Sequence, residues 1–267
     1  MAYVFTNGIR LAYERRGRGE RVLLIMGSSA GGRVWTLHQT PALTAAGYQA
    51  VTFDNRGIAP SDVPPGRYCL DDMVADTAGL IRGLAAAPCR IVGVSLGALI
   101  AQELAIRHPE LVRCAVLIAT RGRTDAARRA HSTAFQALAA AGIELPAEAE
   151  SVFSVFQGLS PASLNDDATA ALWLESFRLS PNDARTARGQ AWADLDEDRL
   201  DALRTVAAPC RVIAFADDLV SPPHLGAEVA DAIPDCDLVE LASCGHLGYL
   251  ERPAEVNAAI IEFLDNH

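Results

Sequence analysis

The chain has 267 residues, half of them hydrophobic, and its 23 Lys and Arg against 33 Asp and Glu leave a net charge of −10. A chain of this mass should fold to a surface of about 11,000 Å² against roughly 41,000 Å² extended, which is one large domain, or one domain with an insertion, that needs no disulfide or metal. Such an acidic balance argues against nucleic acid and anionic membranes as partners, because counterion release needs Lys and Arg.

The N-terminal MAYVFTNGIR contains no apolar secretory run, so a cytoplasmic location is expected. Val4–Thr6 and Ile9–Arg15 flank Asn7-Gly8, which reads as a hairpin. Val22–Met26 is an apolar run of buried-strand length that ends in the loop GSSAGG, and Gln49–Phe53 is a second that ends in DNRG. A helical pattern covers Leu70–Leu84, and Pro88 closes it before the strand CRIVGV. The helix LGALIAQELAIRHPE ends at Pro109, and CAVLIA is the next strand. The apolar stretch Val112–Ala119, broken by Arg113, is too short to cross a bilayer. From about 121 to 205 strand-like runs vanish, and helical patterns take over at Asp125–Ala141, Ala147–Gln157, Asp166–Arg178 and Asp183–Asp194. The alternation returns with RVIAFA, a helix His224–Ile233, a strand Asp237–Leu241 and a helix Ala254–Leu264. Strands that are apolar throughout and separated by helices predict an α/β fold, a mostly parallel sheet with helices on both faces. The expected organisation is a core of residues 1–120 and 206–267 with a helical cap over 121–205.

The chemistry starts at Gly93-Val94-Ser95-Leu96-Gly97, a G-x-S-x-G between a buried strand and a strong helix. A strand that turns at once into a helix strains the central residue, and side chains two positions either side would clash, so glycine is needed at both. Ser95 is the predicted nucleophile. The N–H of Leu96, at the positive end of the helix, points where an oxyanion would form. Gly27-Ser28-Ser29-Ala30-Gly31 spells the same pattern, but Gly31-Gly32-Arg33 is a poor helix start. That loop is better suited to lend a second backbone N–H, with Ser28 the first candidate and Ser29, which is also a candidate substrate-binding residue, beside it. Of the six histidines, His38, His108, His131, His224, His246 and His267, only His246 sits in a glycine-flanked loop just after the last strand, where a base could reach the nucleophile. Asp217 and Asp218 end the strand RVIAFA at the same sheet edge. Neighbouring residues face opposite ways, and periodicity alone leaves open which of them orients the histidine. The six cysteines lack metal-ligand spacing and read as small buried hydrophobes, so neither metal nor cofactor is expected.

Taken together, the MGSS loop at 26–29, DNRGIAPSD at 54–62, GVSLGA at 93–98, FADDLVSPP at 215–223 and GHLGYLERP at 245–253 resemble the α/β-hydrolase superfamily, most closely its cap-bearing esterases, lactonases and cofactor-free haloperoxidases or perhydrolases. The resemblance implies a Ser95–Asp218–His246 triad, with Asp218 preferred because the family's acid usually lies four residues before a proline, here Pro222. Ser95 stands where the family's dehalogenases and epoxide hydrolases carry Asp, which implies acyl transfer and not alkyl transfer. Two departures are visible: Met26-Gly27 replaces the family's His-Gly, and Gly57-Ile58-Ala59 replaces its Gly-x-Gly. Asp54 and Arg56 read as structural.

The expected activity is hydrolysis of a small ester, lactone or thioester through an acyl-enzyme, with a C–C bond hydrolase or lyase, a perhydrolase, an acyl-thioesterase and a non-catalytic ligand receptor as alternatives. In the cap, Phe153, Phe156, Trp173, Phe177 and Trp192 are expected mostly to form cap core, with Phe153, Trp173 and Phe177 as candidate substrate-facing residues. Arg121, Arg123, Arg128 and Arg129 read as a solvated face, or alternatively as an attractor of acidic substrates.

Overall fold

A computed structural model describes residues 1–179, 187–195 and 197–267. Eight strands, β1 (Ala2–Thr6), β2 (Ile9–Arg16), β3 (Arg21–Ile25), β4 (Gln49–Phe53), β5 (Cys89–Val94), β6 (Val112–Ile118), β7 (Cys210–Phe215) and β8 (Cys236–Leu241), form one sheet. Their order is β1-β2-β4-β3-β5-β6-β7-β8. The hairpin β1–β2 and the β2–β4 pair are antiparallel, and every other pair is parallel. All eight lie where the sequence places them, to within two residues at either end.

The helices are α1 (Gln39–Ala45), α2 (Leu70–Gly83), α3 (Leu96–Arg107), α4 (Ala126–Ala141), α5 (Ala147–Gly158), α6 (Pro161–Asn165), α7 (Asp167–Leu179), α8 (Leu200–Leu203), α9 (Pro223–Ala232), α10 (Gly248–Glu251) and α11 (Pro253–Asn266). The expected helix over Asp183–Asp194 is a 3-10 turn at Ala187–Trp192, and its first residues lie outside those described. The short α1, α6, α8 and α10 carry too little periodicity to be read in advance.

Period-two alternation splits the core into two clusters, one on each sheet face. Leu23, Ile25, Ile91, Ala115 and Leu117 pack with α2, α3 and α9 on one side. Val22, Leu24, Val92, Val116 and Ile118 pack with α1 and α11 on the other. Central strands buried on both faces are what forces the continuous apolar runs. The accessible surface, 11324 Å², matches the value expected from chain mass. No helix of the described residues is long and apolar enough to cross a membrane.

Asp54 and Arg56 are structural, as expected. Asp54 accepts the Gly32 N–H at 2.8 Å, and Arg56 Nε and Nη2 donate to the buried Asp76 at 2.5 and 2.7 Å.

Candidate active site

Parallel strands direct their carboxyl ends to one rim, and the loops beyond that rim are where open α/β sheets bind ligands. Four such loops converge here, after β3, β5, β7 and β8.

Ser95 follows β5 directly and caps α3 with φ 54 and ψ −118, a left-handed conformation that a non-glycine residue rarely adopts. Neighbouring elements hold it there. Its N–H donates to Ile118 O at the end of β6 at 2.9 Å, and its carbonyl accepts the Ala98 and Leu99 N–H groups. The flanking glycines have concrete reasons. A Cβ on Gly93 would lie 2.3 Å from Gly97 O, and one on Gly97 would lie 2.1 Å from Ile25 O. The elbow therefore requires glycine at both positions, as its spacing predicts.

The Ser95 Oγ makes no capping bond to its own helix and instead lies 3.0 Å from His246 Nε2. His246 Nδ1 lies 2.8 Å from Asp218 Oδ2. The other oxygen, Asp218 Oδ1, accepts the Val220 and Ser221 N–H groups at 2.7 and 2.8 Å. An ionised carboxylate only accepts, so it fixes the imidazole proton on Nδ1 and leaves Nε2 as acceptor for the serine hydroxyl. Asp218 is 2% exposed, whereas Asp217 is partly exposed and its N–H donates to Cys244 O at 2.9 Å. Of the two acids left open by strand periodicity, Asp218 is the one bonded to His246.

The loop after β3 passes beside Ser95. A Cβ on Gly27 would lie 3.3 Å from Ser95 Cβ and 3.9 Å from Ser95 Oγ. Leu96 is the first residue of α3, so its N–H has no acceptor within the helix. Ser29 differs from its neighbour. Its N–H donates to Gln190 Oε1 at 2.8 Å, which occupies that donor and leaves Ser28 as the loop's candidate for the oxyanion. Ser29 also has φ 60, so both G-x-S-x-G matches strain their central serine. The earlier match, however, opens a 3-10 turn at Gly32–Thr36 and has no histidine bonded to its serine among the described residues.

Two supporting residues escaped the sequence reading. Glu251 Oε2 accepts the Gly245 N–H at 2.7 Å, while its Oε1 accepts from Ser160 N, Ser160 Oγ and Ser163 Oγ at 3.0, 2.8 and 2.6 Å. The Leu247 N–H donates to Gly158 O at 2.8 Å, and a Cβ on Gly245 would lie 2.5 Å from Leu159 C. The loop carrying His246 is thus clamped against the end of α5 and the start of α6. Glu251 lies within the GHLGYLERP segment, but nothing in its spacing indicates this contact. Gln190 is the second such residue, and a lone neutral amide in RGQAWAD carries no signal at all.

The expectation that the aromatic residues of 121–205 form a core is corrected. Phe153 and Phe156 are 52% and 62% exposed. Trp173 and Phe177 are half-buried and stack on each other with ring centroids 5.8 Å apart. Trp192 lies under the Arg67 guanidinium. α4 and α7 bury no residue, and the buried positions of α5 are Ser151, Val155 and Gly158, so Phe153 and Phe156 lie off its inward face.

The solvated-arginine expectation holds for Arg129, which is exposed and donates to Thr124 O at 3.2 Å, and is corrected for the other three. Arg121 is buried and pairs with Asp194 at 2.5 Å, Arg123 pairs with Glu228 at 2.6 Å, and Arg128 pairs with its helix cap Asp125 at 3.1 Å. These cations are neutralised locally, which removes the basis for long-range attraction of acidic substrates.

No cysteine competes as nucleophile. Burial pushes the thiols of Cys89, Cys114, Cys236 and Cys244 up to about 12, 11, 12 and 11, and raises those of Cys69 and Cys210 as well. A thiol so shifted is protonated at neutral pH and poorly nucleophilic. No cluster of three or more His, Cys, Asp or Glu among the described residues could hold a metal ion.

Comparison with known proteins gives the same architecture. The sequence profile of the alpha/beta hydrolase family matches residues 22–259. A Mycobacterium tuberculosis protein named as a non-heme bromoperoxidase, BpoC, is 45% identical over 256 residues, covering 96% of this chain and 97% of its own. Its crystal structure superposes with a TM-score of 0.93, covering 96% of both chains. A Caulobacter segnis protein named as a carbamate hydrolase, RutD, is 28% identical and covers 96% of each chain. The enol-lactonase of Burkholderia xenovorans shares the fold at a TM-score of 0.86 with 22% identity, covering 99% of this chain and 100% of its own.

Proposed function

The chain belongs to the alpha/beta hydrolase family, and within it we propose that this protein is a serine hydrolase that cleaves a carboxylic ester or lactone of a small organic molecule through an acyl-enzyme on Ser95. The observation that carries this reading is the unbroken chain Ser95 Oγ–His246 Nε2 at 3.0 Å and His246 Nδ1–Asp218 Oδ2 at 2.8 Å, on a serine held at positive φ.

In this reading the Ser95 Oγ–H gives its proton to His246 Nε2 as Oγ attacks the acyl carbon. The carbonyl oxygen becomes an oxyanion that accepts from the Leu96 and Ser28 N–H groups, donors that are already oriented before charge develops. Asp218 stabilises the imidazolium electrostatically and keeps its own charge. His246 then passes the proton to the leaving oxygen. Water, deprotonated by the same Nε2, resolves the ester on Ser95 and returns its proton to Oγ. Segment 121–205 acts as the cap, with Phe153, Trp173 and Phe177 as candidate substrate-facing residues and Ser29 as a candidate contact in the loop below.

A second reading has support of its own, from the 45% identity to a relative named as a bromoperoxidase. If hydrogen peroxide replaces water against the same acyl-enzyme, it is released as a peracid. That peracid oxidises bromide to hypobromous acid and reverts to the carboxylic acid. Both readings share Ser95, His246 and Asp218 and differ only in the second nucleophile. The test is turnover of p-nitrophenyl esters and lactones by the wild type, with and without peroxide and bromide, beside Ser95→Ala. Loss of about 10⁶-fold in kcat is expected in the variant, and equal turnover by both proteins would overturn the assignment. Bromination that appears only with peroxide and a carboxylate donor would favour the second reading.

A further inference from the structure

We propose that Gln190 is a positioning residue for the oxyanion loop, holding the Ser29 N–H from above so that the Ser28 N–H is left to face the reacting carbonyl oxygen. This inference rests on the reading of Ser95 as nucleophile.

Gln190 belongs to the 3-10 turn Ala187–Trp192, outside the sheet, yet it is 2% exposed. Both ends of its amide are used. Oε1 accepts the Ser29 N–H at 2.8 Å and faces Ser28 Oγ at 3.5 Å, while Nε2 donates to Arg56 O at 2.8 Å. Arg56 is in turn fixed by two bonds to buried Asp76. One side chain of the helical segment therefore ties the loop after β3 to the loop after β4.

That loop needs such a tie. Its two ends are anchored, with Met26 O accepting from Asn55 Nδ2 at 3.1 Å and the Gly32 N–H donating to Asp54 Oδ1 at 2.8 Å. Between those ends Ser29 stands at φ 60, a conformation that persists only when surroundings impose it. Met26 brings no polar group to the task. Ser28 and Ser29 are consecutive residues of a turn, so fixing the Ser29 N–H on Gln190 fixes the peptide plane that joins them and restrains the orientation of Ser28. The amide is suited to the position because it offers an acceptor and a donor without charge. A carboxylate there would set a negative charge beside a developing oxyanion and a lone pair against Arg56 O.

The experiment compares wild type with Gln190→Met, which keeps the length of the side chain and removes both bonds. With p-nitrophenyl butyrate, kcat should fall about 10- to 100-fold while KM stays within about threefold, as expected for a misplaced transition-state donor. Affinity for a trifluoromethyl ketone, whose serine adduct carries an oxyanion, should weaken by the same factor. Affinity for butyrate, which forms no such adduct, should not change. A folded variant with unchanged kcat and unchanged ketone affinity overturns the proposal, and so does a rise in KM alone. Should Gln190→Met fail to fold, amide hydrogen exchange in the wild type decides. Ser29 protected in the free protein, with Ser28 gaining protection only in the ketone adduct, supports the proposal; fast exchange at Ser29, or no change at Ser28, overturns it. A wild type that neither turns over the ester nor binds the ketone overturns the Ser95 reading, and this inference with it, before any variant is made.

Discussion

Every residue of β5 and β7 is buried, whereas α4 and α7 bury none. The two regions meet at the same rim but hold their parts by different means. Ser95 and Asp218 are set by strand register and by backbone hydrogen bonds into the sheet, so their separation follows from a close-packed interior that resists displacement. The helical segment meets that rim through polar contacts, Gln190 on Ser29 and Ser160 and Ser163 on Glu251, and through close apolar ones, Gly158 against Leu247 and Gly189 against Tyr68. The difference teaches that chemistry and its alignment are separable here. On the proposed reading the sheet supplies the reacting groups, and the helical segment bears on how they are held.

If that division is right, damage on the sheet side should be the most severe. Asp218→Asn keeps the shape but offers His246 Nδ1 an amide that can donate, which favours the wrong tautomer; kcat should fall about 10⁴-fold with little change in KM, read from steady-state ester hydrolysis. A loss below tenfold would show that Asp217 or solvent can take over. The contacts between the regions come next. Glu251→Ala leaves the Gly245 N–H and the Ser160 donors without their acceptor and frees the loop that carries His246. It should lower kcat about 10- to 100-fold and cost about 1–3 kcal/mol of stability by denaturant melt. An unchanged kcat beside a lowered melt would make Glu251 a brace with no part in alignment. The smallest effect is expected on the outer face of the layer. Phe156→Ser, at a side chain that is 62% exposed, should move stability by no more than about 0.5 kcal/mol and leave kcat unchanged. A large change in kcat would show that this ring turns inward over the substrate.

The same contrast explains what was legible in the sequence. The central strands were readable because burial on both faces leaves nearly continuous apolar runs, and the elbow was readable because Gly93 and Gly97 abut backbone atoms that tolerate no Cβ. His246 was readable from its place after the last strand. The choice of Asp218 over Asp217 was not, because adjacent residues at a strand end differ in direction but not in composition; the resemblance to a family made it, and the bond to His246 agrees with it. The roles of Gln190 and Glu251 were hidden for a different reason. Each partner lies at least 88 residues away in sequence, except Gly245 beside Glu251, and neither residue belongs to a periodic pattern. The aromatic residues of 121–205 misled because apolar spacing on a helix signals a buried stripe, and here the buried positions of α5 are Ser151, Val155 and Gly158 while α7 buries no residue.

The central claim is that Ser95 carries the acyl group. Rapid acid quench of the wild type with p-nitrophenyl butyrate, followed by intact-mass measurement and peptide mapping, tests it most directly. The account predicts a single butyryl adduct on the peptide containing Ser95, formed within one turnover and absent from Ser95→Ala. An adduct on any other residue, or full turnover with no adduct and an active Ser95→Ala, would contradict it.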